Sequence, residues 1–268
     1  MTLRIATWNI NSVRLRIDQV ARFVAEQAPD VLCLQEIKCE THQFPREAFE
    51  AMGMPHLAIS GQKGWHGVAI ASRKPIEPGP VLPLCREGHA RCVSAVVDGV
   101  EIQNFYIPAG GDVPDRELNK KFDHKLDFYE RLTREVAGRD PRNALVICGD
   151  LNVAPSEFDV WNHKYMSKIV SHTPIEVAAM TALQQAGGFI DVVREAYPEP
   201  ARLASWWSYR AQDFRVSNRG LRLDHLWASP GLREAVFRTG APVARIHDDV
   251  REWTQPSDHA PVTMELGV

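Results

Sequence analysis

What constrains this chain most is a pattern that recurs along its length: a short apolar run that stops at a carboxylate or carboxamide. Its clearest instance is Leu145-Val146-Ile147-Cys148, which ends at Gly149-Asp150-Leu151-Asn152. Consecutive apolar residues bounded by Gly and Asp read as a strand buried on both faces. Asp150 and Asn152, two residues apart, then point to the same side where the sheet stops covering them. The pattern returns in Thr7-Trp8-Asn9-Ile10-Asn11, in Val31-Leu32-Cys33-Leu34 closing at Gln35-Glu36, and in Val100–Tyr106 closing at Asn104-Phe105-Tyr106. Asp224 lies in an alternating strand over residues 222–228, and Ser257-Asp258-His259 introduces a strand over 260–266. One such carboxylate is usually a turn cap. Repetition points instead to strand ends gathered in one place.

Ser12 reads as the cap of a helix reaching about residue 29, with Val13, Ile17, Val20 and Val24 on its buried face. A short helix over 45–52 and a strand over 55–60 precede the glycine-rich hairpin 61–67 and the run Val68–Ser72. Asp98-Gly99 marks a hairpin between Cys92–Val97 and Val100–Tyr106. Residues 114–138 read as one long amphipathic helix, with Leu118, Phe122, Leu126, Tyr129, Leu132 and Val136 on one face. A further helix is expected over 175–186 and a strand at Val243–Ile246. Hairpin-joined strands with helices inserted between them predict an α/β fold: a four-layer sandwich of two mainly antiparallel, face-to-face β-sheets flanked by α-helices. No linker or composition shift divides the 268 residues, so a single domain is expected.

The apolar content of 44% suffices for such a core. A net charge of −3 lacks the footprint of a strongly basic nucleic-acid binder, although a basic strip around an acidic centre averages to near zero. Cys33, Cys92 and Cys148 lie inside apolar runs and no cysteine pair has zinc-ligand or redox spacing, which reads as reduced thiols in a cytoplasmic protein. No leader-like segment and no apolar run of membrane-spanning length is present, so a cytoplasmic location without membrane contact is expected.

Glu36, Asp150, Asp224, Asp258 and His259, with Asn9, Asn11, Asn152 and Tyr106, sit at or beside strands. Carboxylates that converge repel one another and call for a cation, and an oxygen donor set selects Mg2+ or Mn2+ over zinc. Such an ion beside a basic carboxylate, a histidine and neutral donors suits phosphodiester hydrolysis.

Taken in order, Thr7-Trp8-Asn9-Ile10-Asn11, Leu34-Gln35-Glu36-Ile37-Lys38, Asn104-Phe105-Tyr106-Ile107-Pro108, Gly149-Asp150-Leu151-Asn152, Gly220-Leu221-Arg222-Leu223-Asp224-His225 and Ser257-Asp258-His259-Ala260-Pro261-Val262 resemble the motif set of the exonuclease III family. That family of abasic-site endonucleases belongs to the endonuclease/exonuclease/phosphatase superfamily, and the resemblance runs from residue 4 to about 266. It implies a Mg2+-dependent nuclease, with Mn2+ as an alternative ion, that acts on double-stranded DNA; a monomer is expected because no apolar stripe is left over once the core is assigned. It would cleave 5′ to abasic sites and also act on blocked 3′ ends. Carried over by position, Glu36 is the principal metal ligand, helped by Asn11 and, either from behind the ligands or at a second metal position, by Asp258. Asp150 orients and deprotonates the attacking water beside Asn152, and His259, held by Asp224, contacts the phosphate together with Tyr106 and Asn9. Trp206, Leu221 and Leu223 fall where the family builds its pocket for a base-free deoxyribose.

Arg222 is a candidate phosphate contact, as are Arg14, Arg16, Arg73, Lys74, Arg215 and Arg219. Two positions depart from the pattern. Asn11 stands where some relatives carry Asp, which leaves the metal centre one charge poorer, and Ala109 stands where relatives often place an amide. The competing readings are a metal-dependent phosphoesterase for a small phosphoester and a catalytically silent DNA-binding module.

Overall fold

The computed structural model describes residues 2–210 and 213–267. In chain order the strands are β1 (Leu3–Asn9), β2 (Val31–Gln35), β3 (His56–Ser60), β4 (Val68–Ser72), β5 (Glu77–Pro78), β6 (Cys92–Val97), β7 (Val100–Tyr106), β8 (Leu145–Asp150), β9 (Ile190–Asp191), β10 (Asp224–Ala228), β11 (Val243–Ile246) and β12 (Val262–Leu266). They form two sheets, ordered β11-β12-β1-β2-β4-β3 and β5-β6-β7-β8-β10-β9. Among the described strands each sheet is antiparallel except at its central junction, where β1 pairs parallel with β2 and β7 with β8. A parallel pair needs a crossover, which helix α1 (Ile17–Gln27) and, after the short α2 (Arg46–Ala51), helix α3 (Lys120–Ala137) supply.

Alternation within single strands builds the layers. Leu3, Ile5, Val31 and Cys33 enter the core between the sheets with Ile102, Val146, Cys148 and Leu226. Their neighbours Ala6, Trp8, Leu32 and Leu34 face outward under Val20, Phe23 and Val24 of α1. On the other sheet Leu145 and Ile147 face outward under Phe128, Tyr129 and Leu132 of α3. The four-layer sandwich expected from the strand pattern is the observed architecture.

Strand direction then decides where the polar closures go. Parallel neighbours end at the same sheet edge, so Asn9 lies opposite Gln35 and Tyr106 opposite Asp150. Strand β10 runs against β8, which sets Asp224 at its start opposite Asp150 at the other's end. Strand β12 runs against β1, so residues 257–259 arrive at the same edge. Gly149 lets β7 and β8 meet there: its φ is +128°, and a Cβ would lie 2.0 Å from the Phe105 carbonyl oxygen.

Three expectations change. Helix α1 begins at Ile17 rather than after Ser12, because the backbone before it is tied to β2's exit: Ser12 N donates to Glu36 O (2.7 Å) and Val13 N to Ile37 O (3.2 Å). Helix α3 begins at Lys120 rather than near 114, since Asp115 Oδ1 accepts from the Glu117 and Leu118 amides and Asn119 caps the first turn through Lys121 N. Leu118 is accordingly 81% exposed and not on the core face. The two-residue strands β5 and β9 are too short to show a period. All five cysteines are free, and among the described residues no helix is long and apolar enough to cross a membrane.

Candidate active site

The sheet edge opens into a cleft of about 1060 Å³ lined by Glu36, Tyr106, Asp150, Asn152, Asp258 and His259 on one side and by Trp206, Leu221 and Leu223 on the other. Asn9, Asn11 and Asp224 stand behind these residues and hold them. The Asn9 amide donates to Asp150 Oδ2 (3.0 Å) and to Glu36 Oε1 (3.1 Å), and the Tyr106 hydroxyl donates to the same Glu36 oxygen (2.8 Å). Asn9 and Tyr106 therefore spend their donors on carboxylates. Asp150 Oδ1 accepts from the Asn152 amide N–H (3.0 Å), while the Asn152 side chain donates to Ile107 O (2.8 Å). Glu36, Asn11 and Asn152 have φ of 49°, 47° and 55°, left-handed values that L-residues adopt at a cost and that cluster at functional sites.

His259 joins the two aspartates. Its Nδ1 lies 2.8 Å from Asp224 Oδ2 and its Nε2 3.7 Å from Asp150 Oδ2. Burial opposes a charged ring, but Asp224 and Asp150 outweigh it and raise His259 to about 10. Burial pushes Asp150 up to about 7 against the pull of His259, with Asp224 and Glu36 adding repulsion. Glu36 goes the other way: burial would raise it, yet the Lys38 ammonium and hydrogen bonds from Lys38, Asn9 and Tyr106 leave it below its ordinary range. Burial, then Glu36 and Asp150, keep Tyr106 a protonated phenol.

Among the described residues of this cleft, two places could hold a cation. One donor atom each from Asp150, Asp224 and His259 lie within 4.8 Å of one another, but a protonated imidazole has no lone pair to give, so this trio is poor for a metal. At the other, the Lys38 ammonium sits between Glu36 Oε2 (2.9 Å) and Asn11 Oδ1 (2.6 Å), with Asp258 Oδ1 2.9 Å from Asn11 Nδ2. Carboxylate and carboxamide oxygens already gathered on one positive charge fit a hard divalent ion.

Sequence reasoning missed two contributors, Lys38 and Ser205, and took a third, Arg16, for a phosphate contact. Lys38 lies within a quoted motif but had no role. Ser205 Oγ donates to Asp224 Oδ2 (2.7 Å) and accepts from the Leu223 and Asp224 amides, which holds the partner of His259 in place. Arg16 binds the carbonyls of Ile10, Asn11 and Gln255. No local signal marks Ser205, because its partner is 19 residues away.

One assignment is corrected. Arg222 is 1% exposed and turned away from the cleft, paired with Asp159 (2.7 Å) and Asp191 (2.7 Å). A buried guanidinium between two carboxylates is part of the core, because in the segment leading into β10 Leu221 and Leu223 line the cleft while Arg222 between them turns to the opposite side. Removing it leaves two buried carboxylates short of a partner, so Arg222→Ala is expected to lower stability by about 3–5 kcal/mol in urea unfolding, without changing DNA affinity at temperatures where the variant is folded. Of the other basic candidates, Arg73 donates to Pro29 O, Lys74 pairs with Asp98 and Arg215 with Asp248 and Glu252, while Arg219 lines the cleft.

The sequence pattern of the endonuclease/exonuclease/phosphatase family matches residues 6–259. An exodeoxyribonuclease III from Haemophilus influenzae is 32% identical over 279 residues, spanning 98% of this chain and 100% of its own length. An AP endonuclease from Archaeoglobus fulgidus has a similar structure, with a TM-score of 0.90 and 32% identity over 99% of this chain and 100% of that one. A 3′ phosphatase from Neisseria, NExo, solved with a product DNA hairpin, gives a TM-score of 0.87 and 33% identity over 98% of this chain and 99% of that one. This chain belongs to the endonuclease/exonuclease/phosphatase family, in its exonuclease III branch.

Proposed function

We propose that this nuclease is a Mg2+-dependent DNA repair enzyme, monomeric and cytoplasmic, that cleaves the phosphodiester 5′ to an abasic site in double-stranded DNA and also acts on blocked 3′ ends. One observation carries the reading: the carboxylate and imidazole edge shares its cleft with the apolar wall of Trp206, Leu221, Leu223 and Met166, which Val160 backs. A sugar without a base has little to unstack and fits such a wall where a whole nucleotide does not. The AP endonuclease and the 3′ phosphatase among its structural neighbours fit the two halves of the proposal.

In this reading Asp150 takes the proton of the attacking water, its carboxylate fixed by the Asn9 amide and the Asn152 N–H. His259, charged and held by Asp224, donates to a phosphate oxygen. Asn152, on the cleft wall, has a second amide hydrogen to offer the phosphate, Tyr106 donates to the phosphate only by releasing Glu36 Oε1, and Asn9 bridges the two carboxylates. Glu36, with Asn11 and Asp258 beside it, would hold the hard ion, which supplies a Lewis acid that offsets phosphoryl charge when bound.

The test is an incision assay on an abasic-site duplex beside an inositol phosphate. Incision that EDTA abolishes and Mg2+ restores, with the duplex turned over far faster, is the expected result. Comparable turnover of the small phosphoester would replace the DNA reading, and binding of DNA without cleavage of any phosphoester would favour a silent binding module.

A further inference from the structure

Outside the cleft, the turn at residues 85–89 faces helix α3. The Gly88 amide donates to Cys85 O (3.0 Å) and closes the turn, with Gly88 at a φ of +66°. Glu87 Oε1 lies 3.6 Å from His124 Nδ1 on α3, and Glu87 Oε2 lies 3.8 Å from His89 Nε2. One donor atom from each of the three residues lies within 4.8 Å of the others. These separations are too long for hydrogen bonds. They are close to what ligands of a single ion show: tetrahedral zinc with bonds of about 2.0–2.2 Å sets its nitrogen and oxygen donors about 3.3 Å apart.

Two further observations fit ligation. Cys85 Sγ lies 3.2 Å from His124 Nε2, so the outer nitrogen of the ring has a partner that leaves Nδ1 facing Glu87, the arrangement by which an outer group orients a metal-bound imidazole. His89 Nδ1 is buried without a hydrogen-bond partner, so that nitrogen is not committed to another protein group. The site is open to solvent on one side, with the Glu87 and His89 side chains 46% and 27% exposed against 6% for His124.

We propose that Glu87, His89 and His124 form a second metal site for a borderline transition ion of the Zn2+ type, distinct from the Mg2+ position at Glu36. Two imidazole nitrogens and one carboxylate favour such an ion over Mg2+, and three protein ligands leave a position for water. The ion clamps the 85–91 turn onto α3. That turn supports the active site: the His89 ring lies tilted with its centre 4.7 Å from that of His66, and the Arg91 guanidinium lies 4.8 Å over the Tyr106 ring and donates to Tyr106 O (3.1 Å). Fixing the turn fixes the groups against which Tyr106 rests.

The test compares metal-stripped wild type with Glu87→Gln, His89→Ala and Glu36→Gln. Zn2+ binding is followed by equilibrium dialysis in millimolar Mg2+, Co2+ binding by visible absorption, and unfolding by thermal melts with and without Zn2+. Both altered ligands are on the partly exposed turn, and far-ultraviolet circular dichroism checks that the metal-free variants fold. Wild type and Glu36→Gln are expected to take up one equivalent of Zn2+ that Mg2+ does not displace. Glu87→Gln and His89→Ala lose at least about tenfold in affinity, lose the Co2+ absorption band and lose the Zn2+-induced rise in melting temperature. Equal uptake by the turn variants, or no Mg2+-resistant uptake by wild type, overturns the proposal.

Discussion

An Asp150→Asn protein is expected to bind an abasic duplex about as well as wild type and to cleave it at least about a thousandfold more slowly. General-base catalysis contributes about 10²–10⁴ in rate, and the upper half of that range applies because Asp150 is 1% exposed and held at both oxygens. Binding survives because the apolar wall and Arg219 are untouched. The pH profile carries the same assignment. Only the carboxylate accepts a proton, and burial places its titration near 7, so the rate should fall about tenfold per unit below that point and level off above it. A divalent ion at Glu36 moves the bend to lower pH by its positive charge. Stability should move in the opposite sense to activity. A carboxyl raised on folding stabilises the native state below its unfolded value near 4, and that contribution disappears as pH rises toward 7. In EDTA at pH 8 the asparagine variant should therefore melt no lower than wild type, and a rate within tenfold of wild type would remove Asp150 from the mechanism.

The second large effect is expected at the imidazole. Asp224→Asn should slow cleavage by about 10²–10³, the loss typical of one misaligned donor to a developing oxyanion. Asp224 Oδ2 binds both His259 Nδ1 and the Ser205 hydroxyl, while Oδ1 is buried without a hydrogen-bond partner, so His259 is the one charged group hydrogen-bonded to this carboxylate among the described residues. With His259 raised to about 10, wild-type activity should fall on the alkaline side only as pH passes that value, because the charged ring is the donor. Asp224→Asn should bring that limb down by a unit or more. A change in packing alone would lower the rate without moving the limb. His259→Asn should cost about as much as the double variant, since the pair works as a unit.

Much of this centre was legible before any coordinates. A strand buried on both faces shows as an unbroken apolar run, and its polar closure marks the sheet edge; Glu36, Asp150, Asp224 and His259 all reach the edge for that reason. What failed was whatever depends on distant partners. Alternation said that Arg222 opposes Leu221 and Leu223 but not which side faced the cleft, and only the position of Asp159 and Asp191 settles it. The start of α3 was read six residues early because Leu118 matched the period, while Asp115 and Asn119 held the backbone in turns. Ser205 and Lys38 act through side-chain bonds that no periodicity records.

The way β12 closes against β1 has a consequence for how such an enzyme comes into being. The Trp8 indole donates to the His259 carbonyl across 251 positions, and Ser257 Oγ donates to the Asn9 carbonyl across 248. While a ribosome is still delivering the chain, Asn9, Glu36 and Asp150 have emerged but the imidazole they need has not. Cutting power thus waits on one folding step, the packing of residues 257–259 against the end of β1, and a stretch of chain that stops short of His259 does not carry the full centre.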